Sequence, residues 1–263
     1  MTAAERTSLE ITEGLAHLKL TRGDRRNAID RALVDSLSGQ VTRALADSRV
    51  RALLISADGP SFTVGGDLRH LGGELDRLPD ELDSMITIYH RTLAQLAECH
   101  IPVVVAAQGG AAGGGLGLLW CADVVIAADD LRVASGFAHL GLSGDGGSSW
   151  HLPRLVGLRR AQQLILGERV LDAEEALDWG LVTRVVPAAE LADEAMAQAR
   201  ALASGPTFSL GQMKQLLLAS WSHSYPDQLA AERDAIVRCG ATDDAREGLT
   251  AFEARRAPRF QGR

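Results

Sequence analysis

The sequence is poor in cysteine, in positive charge and in long apolar runs, and each shortage excludes a class of protein. Its 263 residues include three cysteines, too few and too scattered for a disulfide framework or a zinc site. No apolar run approaches the ~20 residues of a membrane-spanning helix, and the N-terminal stretch lacks the apolar segment of a signal peptide. We therefore expect a soluble protein of a reducing compartment, such as the cytoplasm, with no membrane contact.

The charge balance argues against a further class of partner. Lysine and arginine together number 27 against 34 aspartates and glutamates, which gives a formal net charge of −7. Proteins that bind nucleic acid through its phosphate backbone carry basic stripes, so no nucleic-acid partner is expected. A chain of this length can bury roughly 70–75% of its unfolded surface, which fits one large domain or one domain with a small appendage.

Short apolar runs separated by helical patterns dominate the first half of the sequence. Glu13 and Gly14 separate two alternating runs, which predicts a hairpin. Asp30 can cap a helix in which an apolar residue recurs every four positions from Leu33 to Leu45. The predicted strands are Leu9–Ile11, Ala16–Leu20, Val50–Ser56, Pro102–Ala107 and Cys121–Ala128, and a helix is predicted over Leu82–Ala97.

Helical patterns dominate the second half. The last helix has a start that resembles a capping box, with Asp244 three residues before Glu247. Strands alternating with helices, followed by a run of helices, predict an α/β core over residues 1–200 and a helical segment over residues 201–263. The predicted helices are Leu155–Gly167, Ala173–Trp179, Ala188–Ala203, Thr207–Ser220, Gln228–Cys239 and Asp244–Arg255, interrupted by one strand near Leu181–Val186.

Two glycine-bearing loops carry the main functional signal. Ser61–Leu68 follows the strand Val50–Ser56, and Gln108–Gly117 follows Pro102–Ala107. Each lies between a strand end and a predicted helix start, where backbone N–H groups lack partners. Two such donors meeting at one point would stabilise a developing oxyanion, although glycines in turns can also serve close packing alone. Neither loop has the Gly-Lys-Ser/Thr of a P-loop, and the second is not followed by the acidic residue of a dinucleotide site.

Five segments carry a resemblance to a known superfamily, through their order and spacing in combination. They are Arg25–Ile29, Ser61–Leu68, Gly109–Asp123, Leu140–Gly157 and Trp179–Val186. With these segments the chain resembles the crotonase (enoyl-CoA hydratase/isomerase) superfamily over essentially its whole length. The resemblance implies a spiral of ββα units with a C-terminal helical oligomerisation segment, assembled as a homotrimer or a dimer of trimers. It also implies an acyl-CoA thioester substrate that carries its own coenzyme A, with no separate cofactor and no metal.

Two backbone groups of the family's oxyanion hole fall on Gly66 and Gly114. Their N–H groups would polarise the thioester carbonyl and thereby make the neighbouring carbon acidic. Such a site supports isomerisation, hydration or dehalogenation, depending on which side chains face the acyl group.

The resemblance also implies contacts with the coenzyme A portion of the substrate. Arg25 and Arg26 are candidate partners for its phosphates, or else a solvated surface pair. The family's adenine contacts map to the backbone of Val64, Gly66 and Leu68, near Ala28.

Departures from the family pattern narrow the expected chemistry. Family hydratases use two glutamates to activate one water, but these positions are Gly117 and Phe137 here, so ordinary hydration lacks both acid/base groups. Asp145 stands where isomerase-type members place their catalytic carboxylate, which removes a proton from C2 and returns one at C4. Alternatively, Asp145 could cap the helix predicted to begin near Gly146.

His90 supports a different chemistry at the same acyl pocket. Aryl-CoA dehalogenases of the superfamily pair an aspartate nucleophile with a helix-borne histidine base, and Asp145 and His90 occupy these positions. The tryptophan that walls their aryl ring is Phe137 here, and His90 could instead be an ordinary surface residue of its helix.

An isomerase is the preferred expectation, because the other acidic positions are vacant. The run Phe137–Leu142 is also similar to the epoxyphenylacetyl-CoA isomerase group of the superfamily. The alternatives are a hydratase in the broad sense, a dehalogenase-like hydrolase and a catalytically degenerate acyl-CoA binder.

Overall fold

The first three strands of the chain lie in one sheet, and most of the later strands alternate between that sheet and a second, smaller one. The computed structural model describes residues 6–263; residues 1–5, with which the predicted core begins, lie outside the described residues. The strands are β1 Thr7–Thr12, β2 Leu15–Leu20, β3 Ala52–Ala57, β4 Ser61–Thr63, β5 Val103–Ala107, β6 Gly110–Ala112, β7 Val124–Ala128, β8 Arg132–Ala134, β9 Leu171–Asp172 and β10 Arg184–Val186. The helices are α1 Arg31–Ala46, α2 Leu68–Gly73, α3 Leu78–Glu98, α4 Gly117–Trp120, α5 Ser148–Ile165, α6 Ala173–Asp178, α7 Leu191–Ala203, α8 Thr207–Ala219, α9 Tyr225–Gly240 and α10 Asp243–Glu253. No helix within residues 6–263 has the length and apolar character needed to cross a membrane.

The two sheets are built by a repeating path of the chain. The larger sheet has the strand order β1-β2-β3-β5-β7-β10, and the smaller one has the order β4-β6-β8-β9. From β3 to β8 the chain adds one strand to the larger sheet and the next to the smaller sheet, and helical segments separate these pairs. The result is a spiral of ββα units followed by the helices α8–α10, which confirms the predicted fold class.

Both faces of the larger sheet are buried, which explains the continuous apolar runs of its inner strands. Neighbouring side chains of β5 point to opposite faces. Val103 and Val105 belong to the apolar cluster that includes residues of α1 and α3, whereas Val104 belongs to the cluster that includes residues of α7. Pairing with both neighbouring strands, in which Val104 lies opposite Leu54 of β3 and Val124 of β7, fixes the position of β5 and the point where the chain leaves it toward β6.

Two local signals in the sequence predicted turns and caps correctly. Glu13 and Gly14 adopt positive φ values of 52° and 81°, and the strands on either side pair as an antiparallel hairpin. The Asp30 side chain caps α1 by accepting the Leu33 N–H at 2.8 Å.

Several predicted boundaries were wrong. The four short strands β4, β6, β8 and β9 were not predicted, because two or three residues give no detectable alternation. β4 and β6 lie within the two glycine loops, which were expected to lead directly into helices. The strand predicted from Cys121 begins only at Val124, and α5 begins at Ser148 instead of Leu155, with non-helical backbone at Gly157.

The capping interaction predicted for the last helix was also wrong. Thr242 caps α10 by accepting the Ala245 N–H at 3.1 Å. The Asp244 carboxylate instead accepts backbone N–H groups of the C-terminal segment, from Gln261 at 2.6 Å and Gly262 at 2.7 Å. A sequence pattern cannot distinguish these partners, because the second one is brought close only by tertiary folding.

Candidate active site

One cavity of about 620 Å³ brings together the residues that sequence analysis assigned to chemistry. Gly66, His90, Gly114, Phe137 and Asp145 all line it. Much of the remaining wall is apolar and includes Val34, Leu71, Leu82, Met85, Ile86 and Leu142. Few polar groups around an apolar space suit a ligand with an apolar body and one reactive polar centre.

The two glycine loops touch each other beside this cavity. A Cβ built on Gly65 would lie 2.8 Å from the Ala112 carbonyl oxygen and 3.2 Å from the Gly113 Cα. Gly65 also has a φ of 81°, a backbone conformation that residues other than glycine rarely adopt. The loops meet because β4 and β6 are parallel neighbours in the smaller sheet.

The Gly66 N–H points away from its neighbouring backbone. Ile29 forms a parallel bridge with Gly66: Ile29 donates to the Gly65 carbonyl at 2.8 Å and accepts from the Asp67 N–H at 2.9 Å. In this pattern the N–H of the bridged residue itself faces the opposite side. Among the described residues, the Gly66 N–H has no hydrogen-bond acceptor, so it is available to a ligand.

Gly114 contributes a second backbone donor to the same cavity. It is the second residue of a short 3₁₀ turn, Gly113–Leu116, which follows β6. The first N–H groups of a helical turn have no acceptor within it. The carbonyl of the same residue is held by a hydrogen bond: the Tyr89 hydroxyl donates to the Gly114 carbonyl at 2.9 Å. Two backbone donors therefore line one cavity, as an oxyanion site requires.

His90 from α3 and Asp145 from the segment before α5 form a close pair at the cavity. The His90 Nε2 lies 2.6 Å from Asp145 Oδ1. The other carboxylate oxygen, Oδ2, lies beside Gly114, where an added Cβ would be 2.9 Å from it. The alternative that Asp145 caps α5 is wrong, because the N-cap residue is Gly147 and no side chain caps this helix. His90 is half-exposed, but it is not an unpartnered surface residue.

Neither of the two positions at which family hydratases carry a glutamate holds an acid/base side chain in this chain. One of the two positions also has no room for such a side chain. A Cβ on the buried Gly117 would lie 2.6 Å from Leu93 Cδ1 and 2.7 Å from the Gly146 carbonyl oxygen. The segment that carries Asp145 therefore packs directly on the glycine turn. The second position is the buried Phe137, which lines the cavity.

A second cavity, of about 700 Å³, adjoins the first one. Arg25, Arg26 and Ala28 line the second cavity, whereas Val64, Gly66 and Leu68 line both cavities. The residues predicted to contact coenzyme A thus lie together, directly beside those predicted to act on the thioester. For residues 6–263, no group of three or more His, Cys, Asp or Glu side chains is arranged to hold a metal ion.

Arg22 organises the second cavity, although the sequence did not predict a role for it. Its largely buried guanidinium lies 3.0 Å from Asp30 Oδ2 and 2.8 Å from Asp67 Oδ2, and it also donates to the Ala28 carbonyl at 2.8 Å. Asp30 caps α1 and Asp67 caps α2, so one arginine joins two helix starts. Burial alone would raise the pKa of Asp67, but the His70 N–H and Arg22 outweigh burial and lower it. Sequence patterns did not reveal this network, because Arg22 and Asp67 lie far apart in the chain.

Comparisons with known proteins define the family of the chain. A sequence model of the enoyl-CoA hydratase/isomerase family matches residues 10–263. The chain is 36% identical over 254 residues to 1,2-epoxyphenylacetyl-CoA isomerase of Escherichia coli (strain K12), which covers 96% of this chain and 97% of that protein. It is 32% identical over 208 residues to 4-chlorobenzoyl coenzyme A dehalogenase-2 of Arthrobacter sp, covering 79% of this chain and 75% of that protein. A crystal structure of an enoyl-CoA hydratase/isomerase from Mycobacterium abscessus has a TM-score of 0.94 and 35% identity, covering 98% of this chain and 100% of that one.

The chain therefore belongs to the enoyl-CoA hydratase/isomerase family, whose members act on acyl-CoA thioesters. This confirms the resemblance on which the predicted fold and substrate class depended. The relatives differ in the reactions that their names describe, so membership of the family does not by itself define the reaction of this chain.

Proposed function

We propose that the protein is an acyl-CoA isomerase that shifts a double bond by moving a proton, with Asp145 as the acid and base. The orientation of the Asp145 carboxylate carries this proposal. His90 holds Oδ1 at 2.6 Å, while Oδ2 lies beside Gly114 and is free to exchange a proton with a substrate. One carboxylate oxygen is thus oriented and the other is reactive, which suits a single proton shuttle.

The proposed reaction begins on a 3-enoyl thioester. Asp145 Oδ2 takes a proton from C2, and the electron pair of the broken C–H bond forms an enolate whose charge lies on the thioester oxygen. The N–H groups of Gly66 and Gly114 stabilise this charge. The protonated Asp145 then returns a proton to C4, and the electrons settle as a conjugated C2–C3 double bond.

The second cavity accommodates the coenzyme A portion of the same substrate in this proposal. Arg25 and Arg26 supply positive charge for its phosphates, and the backbone near Ala28, Val64 and Leu68 contacts the adenine. The substrate brings its own coenzyme A, so the reaction needs no further cofactor.

The substitution Asp145→Asn tests the proposal. It keeps the shape of the side chain and its contact with His90 but removes the group that takes the proton, so kcat for 3-enoyl-CoA isomerisation should fall by about 10²–10⁴-fold. The KM should change only a few-fold. Isomerisation is measured by the absorbance of the conjugated product, and mass spectrometry checks that no water has been added.

The matched control is Asp76→Asn, which changes an exposed aspartate in the segment before α3 and should leave kcat unchanged. Near-native turnover by Asp145→Asn would refute the isomerase. A mass gain of one water in the wild-type reaction would indicate a hydratase, and thioester binding without any turnover would indicate a degenerate binder.

A second candidate function is the hydrolysis of a halogenated aryl thioester, and the His90–Asp145 contact favours it. Asp145 Oδ2 would attack the ring carbon that bears the halide, the halide would leave, and an aryl ester on Asp145 would form. His90 would then remove a proton from the water that cleaves this ester. A named dehalogenase among the relatives supports this candidate.

His90→Gln separates the two candidates. In the isomerase, His90 only orients the carboxylate, so the loss of kcat should stay within about 10-fold. In the hydrolase, the aryl ester would persist, and intact mass spectrometry after mixing with 4-chlorobenzoyl-CoA would detect it on the variant. Chloride release by the wild type together with a trapped ester would replace the isomerase proposal.

The oligomeric state forms part of the same proposal: we infer a homotrimer or a dimer of trimers. Helices α8–α10 expose large apolar side chains, including Leu217, Ile236, Val237, Leu249 and Phe252. These side chains lie on three successive helices, and large exposed apolar patches are typical of subunit interfaces.

A further inference from the structure

We propose that Tyr89 is a positioning residue that keeps the Gly114 N–H aimed at the thioester oxygen; this inference rests on the proposed function. Tyr89 is buried in α3, with 3% of its surface exposed, and its hydroxyl donates to the Gly114 carbonyl at 2.9 Å. Neither glycine loop contains this residue, so the loop motifs do not point to it.

The glycine segment needs an external support of this kind. Residues 109–117 include six glycines, and glycine backbone has little preference of its own for one conformation. The direction of an N–H in such a segment is therefore set by hydrogen bonds and packing. The Gly114 carbonyl accepts from the Gly117 N–H, at the start of α4, and from the Tyr89 hydroxyl of α3. Of these two bonds, the one from Tyr89 ties the turn to a segment that is distant in the sequence.

The same helix also holds the proposed acid/base. Tyr89 contacts Gly114, and His90, the next residue, contacts Asp145. Successive helical residues project about 100° apart, so two adjacent positions can support two different segments. The buried side chains of Met85 and Leu93 anchor α3 in the core. One rigid helix thereby sets the separation between the oxyanion donor and the carboxylate.

The Tyr89 hydroxyl is suited to remain a donor. Burial raises the pKa of Tyr89 well above its ordinary value, and the neighbouring Cys121 and Asp145 raise it further. The hydroxyl therefore stays protonated at every pH at which the reaction would be measured.

Tyr89→Phe removes only the hydroxyl and tests the inference. Loss of a whole oxyanion donor typically costs 10²–10³-fold in kcat, and a misdirected donor should cost less. We expect kcat to fall by about 10-fold with KM within about two-fold of the wild-type value. Tyr225→Phe is the matched control, because Tyr225 is the chain's other tyrosine and is exposed, and it should leave both constants unchanged.

A spectroscopic readout distinguishes positioning from a merely structural role. Hexanoyl-CoA is saturated and cannot isomerise, and the infrared band of its thioester carbonyl should move to lower wavenumber when it binds to the wild type. In Tyr89→Phe the band should move back toward its position in solution. If the variant keeps the wild-type band and kcat and loses only melting temperature, Tyr89 is structural and the inference is wrong.

Failure of the oxyanion site on which the proposed function depends gives a different result. In that case the bound carbonyl band of the wild type would itself equal the band in solution, and both proposals would be rejected together. A band shift in the wild type that persists in Tyr89→Phe rejects only the role of Tyr89.

Discussion

Gly117 illustrates how the absence of a side chain constrains the chemistry of the site. A Cβ at this position would meet a leucine methyl group and a backbone oxygen at under 3 Å, and the latter belongs to Gly146, next to Asp145. Because Gly117 has no side chain, the segment that carries Asp145, the proposed acid/base, can pack directly against the glycine turn. A glutamate at this position and this placement of Asp145 are sterically incompatible in this chain.

Restoring the family hydratase glutamate as Gly117→Glu should destabilise the protein and should not create hydratase activity. Overpacking of a core position costs about 1–3 kcal/mol, and burying an unpaired carboxylate adds to that cost. The free energy of unfolding is measured by urea titration, and hydration by the mass gain of crotonyl-CoA.

Gly144→Ala is the matched control for this substitution, because Gly144 lies on the same segment as Asp145 and an added Cβ would have no heavy atom within 4 Å. Its unfolding free energy should stay within about 0.5 kcal/mol of wild type. A folded Gly117→Glu variant of wild-type stability would contradict the steric argument.

At the scale of secondary-structure elements, the starts of α1 and α2 depend on each other. The caps of both helices are aspartates, and the guanidinium of Arg22 lies between them. The segment Arg25–Ile29 and the loop after β4 are thereby held next to each other, with Val64 donating its N–H to the Arg26 carbonyl at 3.2 Å. The cavity proposed for coenzyme A exists because these two segments are joined.

Arg22→Gln should leave the largely buried Asp67 carboxylate without a cation, and Asp30 with only Arg6 at 3.5 Å. Removal of one partner from a buried ion pair typically costs about 3–5 kcal/mol, so we expect a loss of that order in the free energy of unfolding. Because the cavity walls would separate, the Kd for coenzyme A, measured by calorimetry, should also rise.

The control for the stability part of this prediction is Arg25→Gln. Arg25 is half-exposed and lies 3.9 Å from its acidic neighbour Asp24, so its removal should change stability by less than about 1 kcal/mol. If both variants lost the same stability, the network around Arg22 would not hold the two helix starts.

At the scale of the whole molecule, the C-terminal helices α8–α10 present apolar side chains that this subunit does not cover. Phe252 is 83% exposed and Ile236 is 71% exposed, although both lie on regular helices. Exposure of large apolar groups to water is unfavourable, and a subunit interface would remove that cost.

Sedimentation of the wild type should therefore give three or six times the 28.0 kDa mass of one chain. The double substitution Ile236→Ser with Phe252→Ser should shift this distribution toward the monomer. Leu75→Ser is the control, because Leu75 is also exposed but lies outside the C-terminal helices. A monomeric wild type at micromolar concentration would refute the proposed assembly.

Local patterns determined much of the architecture and of the residues that line the site. Apolar runs predicted the long strands because both faces of the larger sheet are buried, and Asp30 predicted a helix start because its partner is three residues away. The loop motifs, and the family resemblance that they carry, predicted Gly66, Gly114 and Asp145 as site residues. All three line one cavity in the structure. The short strands of the smaller sheet were missed because their pairing is set by neighbours and not by their own pattern.

The sequence by itself determined the layered α/β core, the glycine loops and the presence of one candidate acid/base carboxylate, Asp145. It also determined that no glutamate stands at either of the two family hydratase positions. Only the tertiary structure decided that His90 contacts the Asp145 carboxylate at 2.6 Å, that the Tyr89 hydroxyl donates to the Gly114 carbonyl and that Arg22 joins two helix caps. His90 and Asp145 are 55 positions apart. Which side chains meet over such separations depends on how helices pack on sheets, and no periodicity in the chain encodes that direction.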